Sequence, residues 1–432
     1  MKGSGPRLSA VIIALASLAM AVLPFAASRA SAASVNAPLT REEIVKKLGE
    51  LNAGEDPASA PSDAEAQANE QKIEEADALP PDEYVRGRIA SVASTVERET
   101  AGVKEHVTTY KVILLDGAEK GKEVEVQTSD LDAVVANRSF KAGDKIVIVK
   151  SYKLGGEAAY YLADSYRIPA LAGIVFLFML AGIAFGRWRG VTSLLGLAVT
   201  VGIIMLYVVP RITAGGDPLR VSLVATFAIA AVSLYLAHGF NRRTTIAFVS
   251  TLITLALSAW MAVSWVAWAS LFGTGSEDAI FLQGSGFGDI NLRGLLLGGI
   301  MLGVMGILDD ITTAQAAIVE ELKHANPSFK FPDLYKRGLS VGKEHISSLI
   351  NTLFLAYAGA SLPLFLLFTT TSSQPLWYVL NSETIAEEIV RTIVGSVCLI
   401  LAVPITTAIA ASYYGERRVR QGDAPPLPHH HH

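Results

Sequence analysis

The sequence predicts an α-helical multipass membrane bundle of about seven spans with an N-terminal extracytoplasmic small β-barrel domain of OB-like type. Three observations carry that prediction. Hydrophobic residues make up 51% of the 432 and charged residues only 18%, a balance too apolar for an ordinary soluble enzyme. Beyond Ile168 the chain holds seven apolar runs of about twenty residues, each long enough to cross the hydrocarbon of a bilayer. Ahead of them, residues 83–167 alternate with a period of two and are punctuated by turn residues. The net charge of −4, with no basic tract interleaved with aromatics, excludes nucleic acid as a partner. The single cysteine, Cys398, lies in an apolar stretch, so neither an intrachain disulfide nor a cysteine-based metal cluster is expected.

Lys2 and Arg7, the apolar run Leu8 to Phe25 and the A-x-A string Ala30-Ser31-Ala32 read as a signal peptide or signal anchor over 1–32. Residues 33–82 are rich in Ala, Glu, Asp and Pro and bury too little apolar surface to offset ordering entropy, so a flexible acidic linker is expected. Within it, Thr40-Arg41-Glu42-Glu43 has the capping-box pattern of a short helix toward Leu51. In the barrel domain the strand-like runs are Tyr84 to Val92, Val107 to Leu115, Glu123 to Gln127, Lys145 to Val149 and Tyr160 to Tyr166. Turns are expected at Asp116-Gly117, Gly121, Ala142-Gly143-Asp144 and Gly155-Gly156. Five short strands fit a small closed barrel, and without a stacking platform beside a basic groove its expected role is docking or lidding.

The helical domain is expected over 168–420, followed by a tail over 421–432 whose terminal histidines are left out of site reasoning. Its spans are Ile168–Gly186, Val191–Pro210, Val221–Phe240, Thr244–Leu271, Leu292–Leu308, Ser347–Thr369 and Ile389–Ser412. Arg187, Arg189, Arg242, Arg243, the basic residues from Lys323 to Lys343, and Arg417, Arg418 and Arg420 then fall on one side. The positive-inside rule makes that side cytoplasmic, so the barrel lies outside and the C-terminus inside a multipass cell (plasma, inner) membrane protein.

The most informative stretch is Leu292 to Leu322. Gly294, Gly298, Gly299, Gly303 and Gly306 include small residues spaced by four, which let a membrane helix approach a neighbour closely. Asp309 and Asp310 follow at the edge of hydrocarbon, where carboxylates are costly unless they meet water, a cation or backbone donors. Two readings are open: a site that handles cations or protons, or a cap on a further helix from Ile311 to Leu322. Thr312, Thr313 and Gln315 add neutral oxygen ligands. The sixth span enters with Lys343-Glu344-His345 and brings Asn351 and Thr352 toward the same side. Glu344 and His345 are candidates for proton coupling, although a solvated interfacial anchor is the plainer reading of that cluster. Glu320 and Glu321 are expected to be solvated. Pro363 and Pro404 interrupt the sixth and seventh spans, with Thr406 and Thr407 beyond, and transporters place broken helices around their sites.

Catalytic motifs are weak by comparison. Gly286-Phe287-Gly288-Asp289 has the G-x-G-D form of intramembrane aspartyl proteases, but the span count sets Asp289 and Asp309 at opposite faces, roughly 30 Å apart by helical rise. The glycine cluster is not a phosphate loop, and neither H-E-x-x-H nor G-x-S-x-G occurs. No enzymatic activity and no cofactor are expected.

Longer strings carry a family resemblance. These are Gly306-Ile307-Leu308-Asp309-Asp310-Ile311-Thr312 with Gln315-Ala316 and Glu321-Leu322, then Val341-Gly342-Lys343-Glu344-His345-Ile346 and Asn351 through Leu364. The sequence resembles the YibE/F-like family of bacterial membrane proteins, most closely its actinobacterial members, from about Ile168 to Arg420 and also in the β domain. Lys343-Glu344 departs from the Arg-Asp common in that family, and lysine forfeits bidentate hydrogen bonding there. The resemblance implies a multipass inner-membrane protein and does not settle a substrate.

The expected function is a secondary transporter or permease for a small solute or ion. Its binding groups are Asp310 first, then Asp309, Asn351, Thr352, Thr312, Thr313 and Gln315. The alternative is a non-transporting scaffold whose exported barrel docks an envelope partner. Besides the lipid bilayer, a second copy of the chain or that envelope partner is the expected company.

Overall fold

In the computed structural model the residues described are 80–100, 103–129, 140–152, 156–284, 290–370 and 375–416. The signal segment, nearly all of the acidic linker with its capping box, the G-x-G-D string and the tail fall outside them. The described residues divide into two compact units, one ending at Phe178 and one beginning at Met179.

The first unit holds a closed five-stranded barrel of β1 (Glu83–Thr100), β2 (Val103–Leu114), β3 (Glu123–Ser129), β4 (Lys145–Tyr152) and β5 (Ala158–Ser165). Its strand order is β1-β2-β3-β5-β4, with β3 and β5 parallel and the other pairs antiparallel. Period-two alternation turns Val85, Ile89, Val112, Val124, Val126, Ile146 and Ile148 inward into one core. Gly87 faces that core where the strands crowd: a Cβ there would stand 2.5 Å from a methyl of Val112. The expected turn residues Gly117 and Gly143 take φ of 78° and 97°, a conformation that favours glycine. β1 and β2 run further than their apolar pattern indicates, since the largely polar residues 94–100 pair with 103–109 beyond two register shifts. On the barrel surface Glu119 accepts from Tyr160 Oη and meets Lys122 at 2.9 Å and Lys150 at 3.2 Å.

The second unit is helical. Its elements, with the N-terminal part of the first helix, are α1 (Ile168–Ile203), a π-turn (Ile204–Val208), α2 (Val209–Thr213), α3 (Pro218–His238), α4 (Arg242–Trp268) and α5 (Glu277–Gly284). α6 (Leu292–Ala325), α7 (Phe331–Ala360), α8 (Leu362–Thr370), α9 (Leu376–Asn381) and α10 (Glu383–Gly415) follow. Among the described residues, five helical stretches are long and apolar enough to cross a membrane: Ile168–Thr213, Pro218–His238, Arg242–Trp268, Leu292–Ala325 and Glu383–Gly415. The protein is a membrane protein.

The first stretch is not straight. Arg187 leaves helical geometry at φ 50°, ψ −128°. Beyond it the chain doubles back so closely that a Cβ on Gly190 would collide with the carbonyl oxygen of Gly182, while Leu194 lies 3.6 Å from the Cβ position of Gly182. Small residues on both arms are what this reversal needs.

Elsewhere contacts fix the helix directions. Ser222 meets Gly298 and Ser233 bonds Asp309, so α3 and α6 run parallel. Gly338 lies against Val319 and Thr407, Gly342 against Gln315 and Val403, and Tyr357 near Gly303 and Gly395. α7 therefore runs antiparallel to both α6 and α10. Thr251 bonds Thr312, placing α4 beside α6.

Three expectations need correction. The fifth span does not stop at Leu308 with a new helix from Ile311: α6 is one helix of 34 residues, and its N-cap is Asn291, which accepts from Gly294 N at 3.0 Å. Asp309 and Asp310 are mid-helix, where backbone N–H groups already bond the preceding turn, so the capping reading falls. Helix α7 begins at Phe331, well before Ser347, because its charged first half is amphipathic and continues into the apolar half without a break. α7 ends at Ala360, with α8 resuming at Leu362 beside Pro363, but Pro404 sits inside a continuous α10.

Glu383 and Glu387 at the start of α10 hold the loop after α4. Glu383 Oε1 accepts from the backbone N–H of Phe272 at 2.6 Å and Gly273 at 2.9 Å, and Glu387 Oε1 accepts from Gly275 N at 2.9 Å.

Candidate functional site

The site grows from the glycine spacing of α6. A Cβ on Gly298 would collide with Ser222 Oγ and crowd Pro218 O, and one on Gly294 would press on Pro218 as well. With these glycines α3 approaches α6 closely, and eleven residues along both helices the same register brings Ser233 to Asp309. Ser233 Oγ donates to Asp309 Oδ2 at 2.5 Å. The other carboxylate oxygen, Oδ1, is buried with no hydrogen-bond partner. Gly196 on the second arm of α1 backs this contact, its Cβ position 4.0 Å from Ser233 Cα.

One turn along α6, Thr313 stands on the same face as Asp309. Thr313 is buried at 8% exposure, and its hydroxyl also lacks a partner. Two unpaired buried oxygens on adjacent turns are costly in an apolar bundle and are what a proton, a cation or a water would satisfy. His238 closes the end of α3 within electrostatic reach of Asp309, Asp310, Arg243 and Arg189. Asp310 itself is exposed.

The remaining predicted residues spread over other faces of α6 and α7. Thr312 faces α4: it bonds Thr251 Oγ1 at 2.8 Å and donates to Leu308 O. Gln315 faces α7 and α10, donating from Nε2 to Gly338 O at 2.9 Å and Thr407 Oγ1 at 2.7 Å. Its Oε1 is buried and unpaired. Glu344, Asn351 and Thr352 are exposed on α7, and His345 is half-buried there. Asn351, Thr352, Glu344 and His345 thus belong to a different helix face from the Asp309 pair. Glu320 is not simply solvated: Tyr414 Oη donates to it at 2.9 Å and Arg243 lies 3.7 Å away.

Ser233 and His238 escaped the sequence reading. Ser233 lies 76 residues from its partner inside an ordinary apolar run, and nothing local marks it. The signal was the small-residue face of α6, which implies a helix packed against it without saying which one. Among the described residues no group of three His, Cys, Asp or Glu side chains is placed to hold a metal ion.

A family model described as YibE/F-like protein matches residues 174–416, more than half of the chain. No curated protein and no solved structure matches it. That span runs from the first arm of α1 to the end of α10, taking in the glycine register, the Ser233–Asp309 contact and the Gln315 crossing. This membrane protein belongs to the YibE/F-like family.

Proposed function

We propose that the protein is a secondary transporter or permease for a small ion or solute, with Asp309 as the group that takes up the moving proton or cation. The observation that carries this reading is the half-paired carboxylate of Asp309: one oxygen bonded to Ser233, the other buried without a donor beside the unpaired hydroxyl of Thr313. A structural aspartate in a membrane helix would have both oxygens satisfied. The exposed Asp310 serves as the approach from the aqueous side, and His238, within electrostatic reach of Asp309, is a group able to relay a proton.

In this reading the chain crosses the plasma membrane seven times. The reversal at Arg187 makes two crossings of the first apolar stretch, and α7 supplies the return that the parallel α6 and α10 require. The barrel, which we read as OB-like from its strand order, lies outside, and the C-terminus lies in the cytoplasm.

The test is flux in liposomes holding the purified full chain, offered a panel of ions, amino acids and anions with and without a pH gradient. Asp309→Asn should bring flux to the level of empty liposomes while thermal stability holds, and Ser233→Ala should reduce it without abolishing it. Wild-type flux with unchanged transport in Asp309→Asn sinks the assignment. Loss of function on deleting 83–167, with Asp309→Asn fully active, would instead favour a scaffold that docks an envelope partner through its barrel.

A further inference from the structure

One face of α7 does not suit lipid. Ser348, Thr352, Ala356 and Ala360 are all exposed and spaced by four, and the residue before each, Ser347, Asn351, Leu355 and Gly359, is exposed as well. The opposite side of the same helix is packed: Ile346 and Leu349 join the bundle core and Tyr357 reaches toward Gly303 and Gly395. Those contacts place the exposed ridge level with the most apolar parts of α6 and α10. A ridge facing hydrocarbon should carry large apolar side chains, as the first arm of α1 does with Ile174, Phe176 and Leu180 exposed at 52–64%. Hydroxyls, an amide and small residues at that depth are the composition of a helix–helix contact.

We propose that this ridge is the interface between two copies of the chain, packed α7 against α7 about a two-fold axis along the membrane normal. Self-complementarity singles out a second copy over a different protein. Lys343 and Glu344, exposed at the charged start of the ridge, are adjacent and opposite, so each can face its counterpart across the axis with no net charge left. The Asn351 amide both donates and accepts and can therefore pair with its own symmetry mate, while the hydroxyls of Ser347 and Thr352, which donate to Lys343 O and Ser348 O of their own helix, keep lone pairs that can accept from the other copy. An isologous contact requires a patch of this kind. The four-residue rows predict right-handed crossing at roughly −40 to −50°. Gly294 and Gly298 are unavailable for such a contact, since α3 of the same chain occupies them.

Single cysteines test this in membranes holding the full chain, with the buried Cys398 left in place. Under copper-phenanthroline oxidation, Ser348→Cys, Thr352→Cys and Ala356→Cys should give disulfide-linked dimers, since a disulfide needs Cα atoms within about 7 Å. Phe354→Cys, exposed on α7 but off the ridge, and Leu177→Cys on α1 should not. Equal yields at all five positions, or no dimer at the ridge positions, overturns the proposal. So does a heavier adduct with another protein, or ready labelling of ridge thiols by a water-soluble reagent without dimer. As a second measurement, light scattering of the detergent-purified protein should give a dimer, and Thr352→Leu with Ala356→Leu a monomer of unchanged melting temperature; a monomeric wild type also overturns it.

Discussion

Asp309 and Asp310 differ by one residue and by everything that surrounds them: a serine donor and a buried empty lone pair for the first, exposure for the second. Side-chain direction on a helix turns by about 100° per residue, so neighbouring carboxylates cannot share a face. Glu119 on the barrel shows the opposite case, an exterior carboxylate with every donor it needs. The phenol of Tyr160 donates to it, Lys122 and Lys150 close on it, and together they hold its carboxyl down at about 2. The folded value lies below the ordinary one, so this group's support for the barrel is complete above about 4.5 and is lost as pH falls toward 2. The Glu119 carboxyl carbon, followed by NMR in the full-length protein, should titrate near the lower value. Tyr160→Phe removes the largest of the three contributions and should raise that midpoint; a midpoint at the ordinary glutamate value in the wild type would deny the cluster.

At the scale of the helix, Gly298 and Gly299 are adjacent and make opposite predictions. A methyl on Gly298 runs into Ser222 and Pro218 of α3, so Gly298→Ala should cost about 1–3 kcal/mol of stability through overpacking. Nothing stands within 4 Å of a Cβ on Gly299, and Gly299→Ala should leave stability within about 0.5 kcal/mol. Thermal unfolding of both variants in one detergent checks the contrast, and equal losses would place α3 elsewhere. The sequence made this face legible, because small residues spaced by four have few uses in a membrane helix. It did not distinguish Gly298 from Gly299, since that depends on which helix arrives and at what angle. The apolar strand cores were legible for a similar reason, period two being specific, whereas the polar outer half of the β1–β2 hairpin was not. The continuity of α6 through Asp309 was misread because a sudden run of polar residues after an apolar stretch looks like a helix end. Hydrogen bonds to Ser233, Thr251 and Thr407 on three other helices show why polar residues can continue the same helix. None of those partners lies near α6 in sequence.

For the whole molecule, helix direction and charge give two separate arguments for one arrangement. The contacts make α3, α6 and α10 parallel and α7 antiparallel to the last two. The ends at which α3, α6 and α10 finish and α4 and α7 begin carry Arg242, Arg243, Lys323, Lys330, Lys336 and Arg337. The turn between the two arms of α1 carries Arg187 and Arg189, and His238 lies within electrostatic reach of Arg189, so that turn sits at the same end as the C-terminus of α3. In the topology proposed above, charge would make cytoplasmic the same end that the helix contacts gather together. The sharpest consequence concerns Trp188 and Gly215, which bracket the second arm of the apolar stretch Ile168–Thr213. If Arg187 reverses the chain, cysteines at these two positions lie on opposite sides of the membrane. A membrane-impermeant maleimide on intact cells should label Gly215→Cys, along with Lys120→Cys on the barrel, and should reach Trp188→Cys only after permeabilisation. A single continuous crossing from Ile168 to Thr213 would bury position 188 in hydrocarbon, leaving it unlabelled from either side. That outcome would leave α3 and α6 parallel to each other but turn every later helix over, setting Arg242, Arg243 and Lys323 outside against the positive-inside rule.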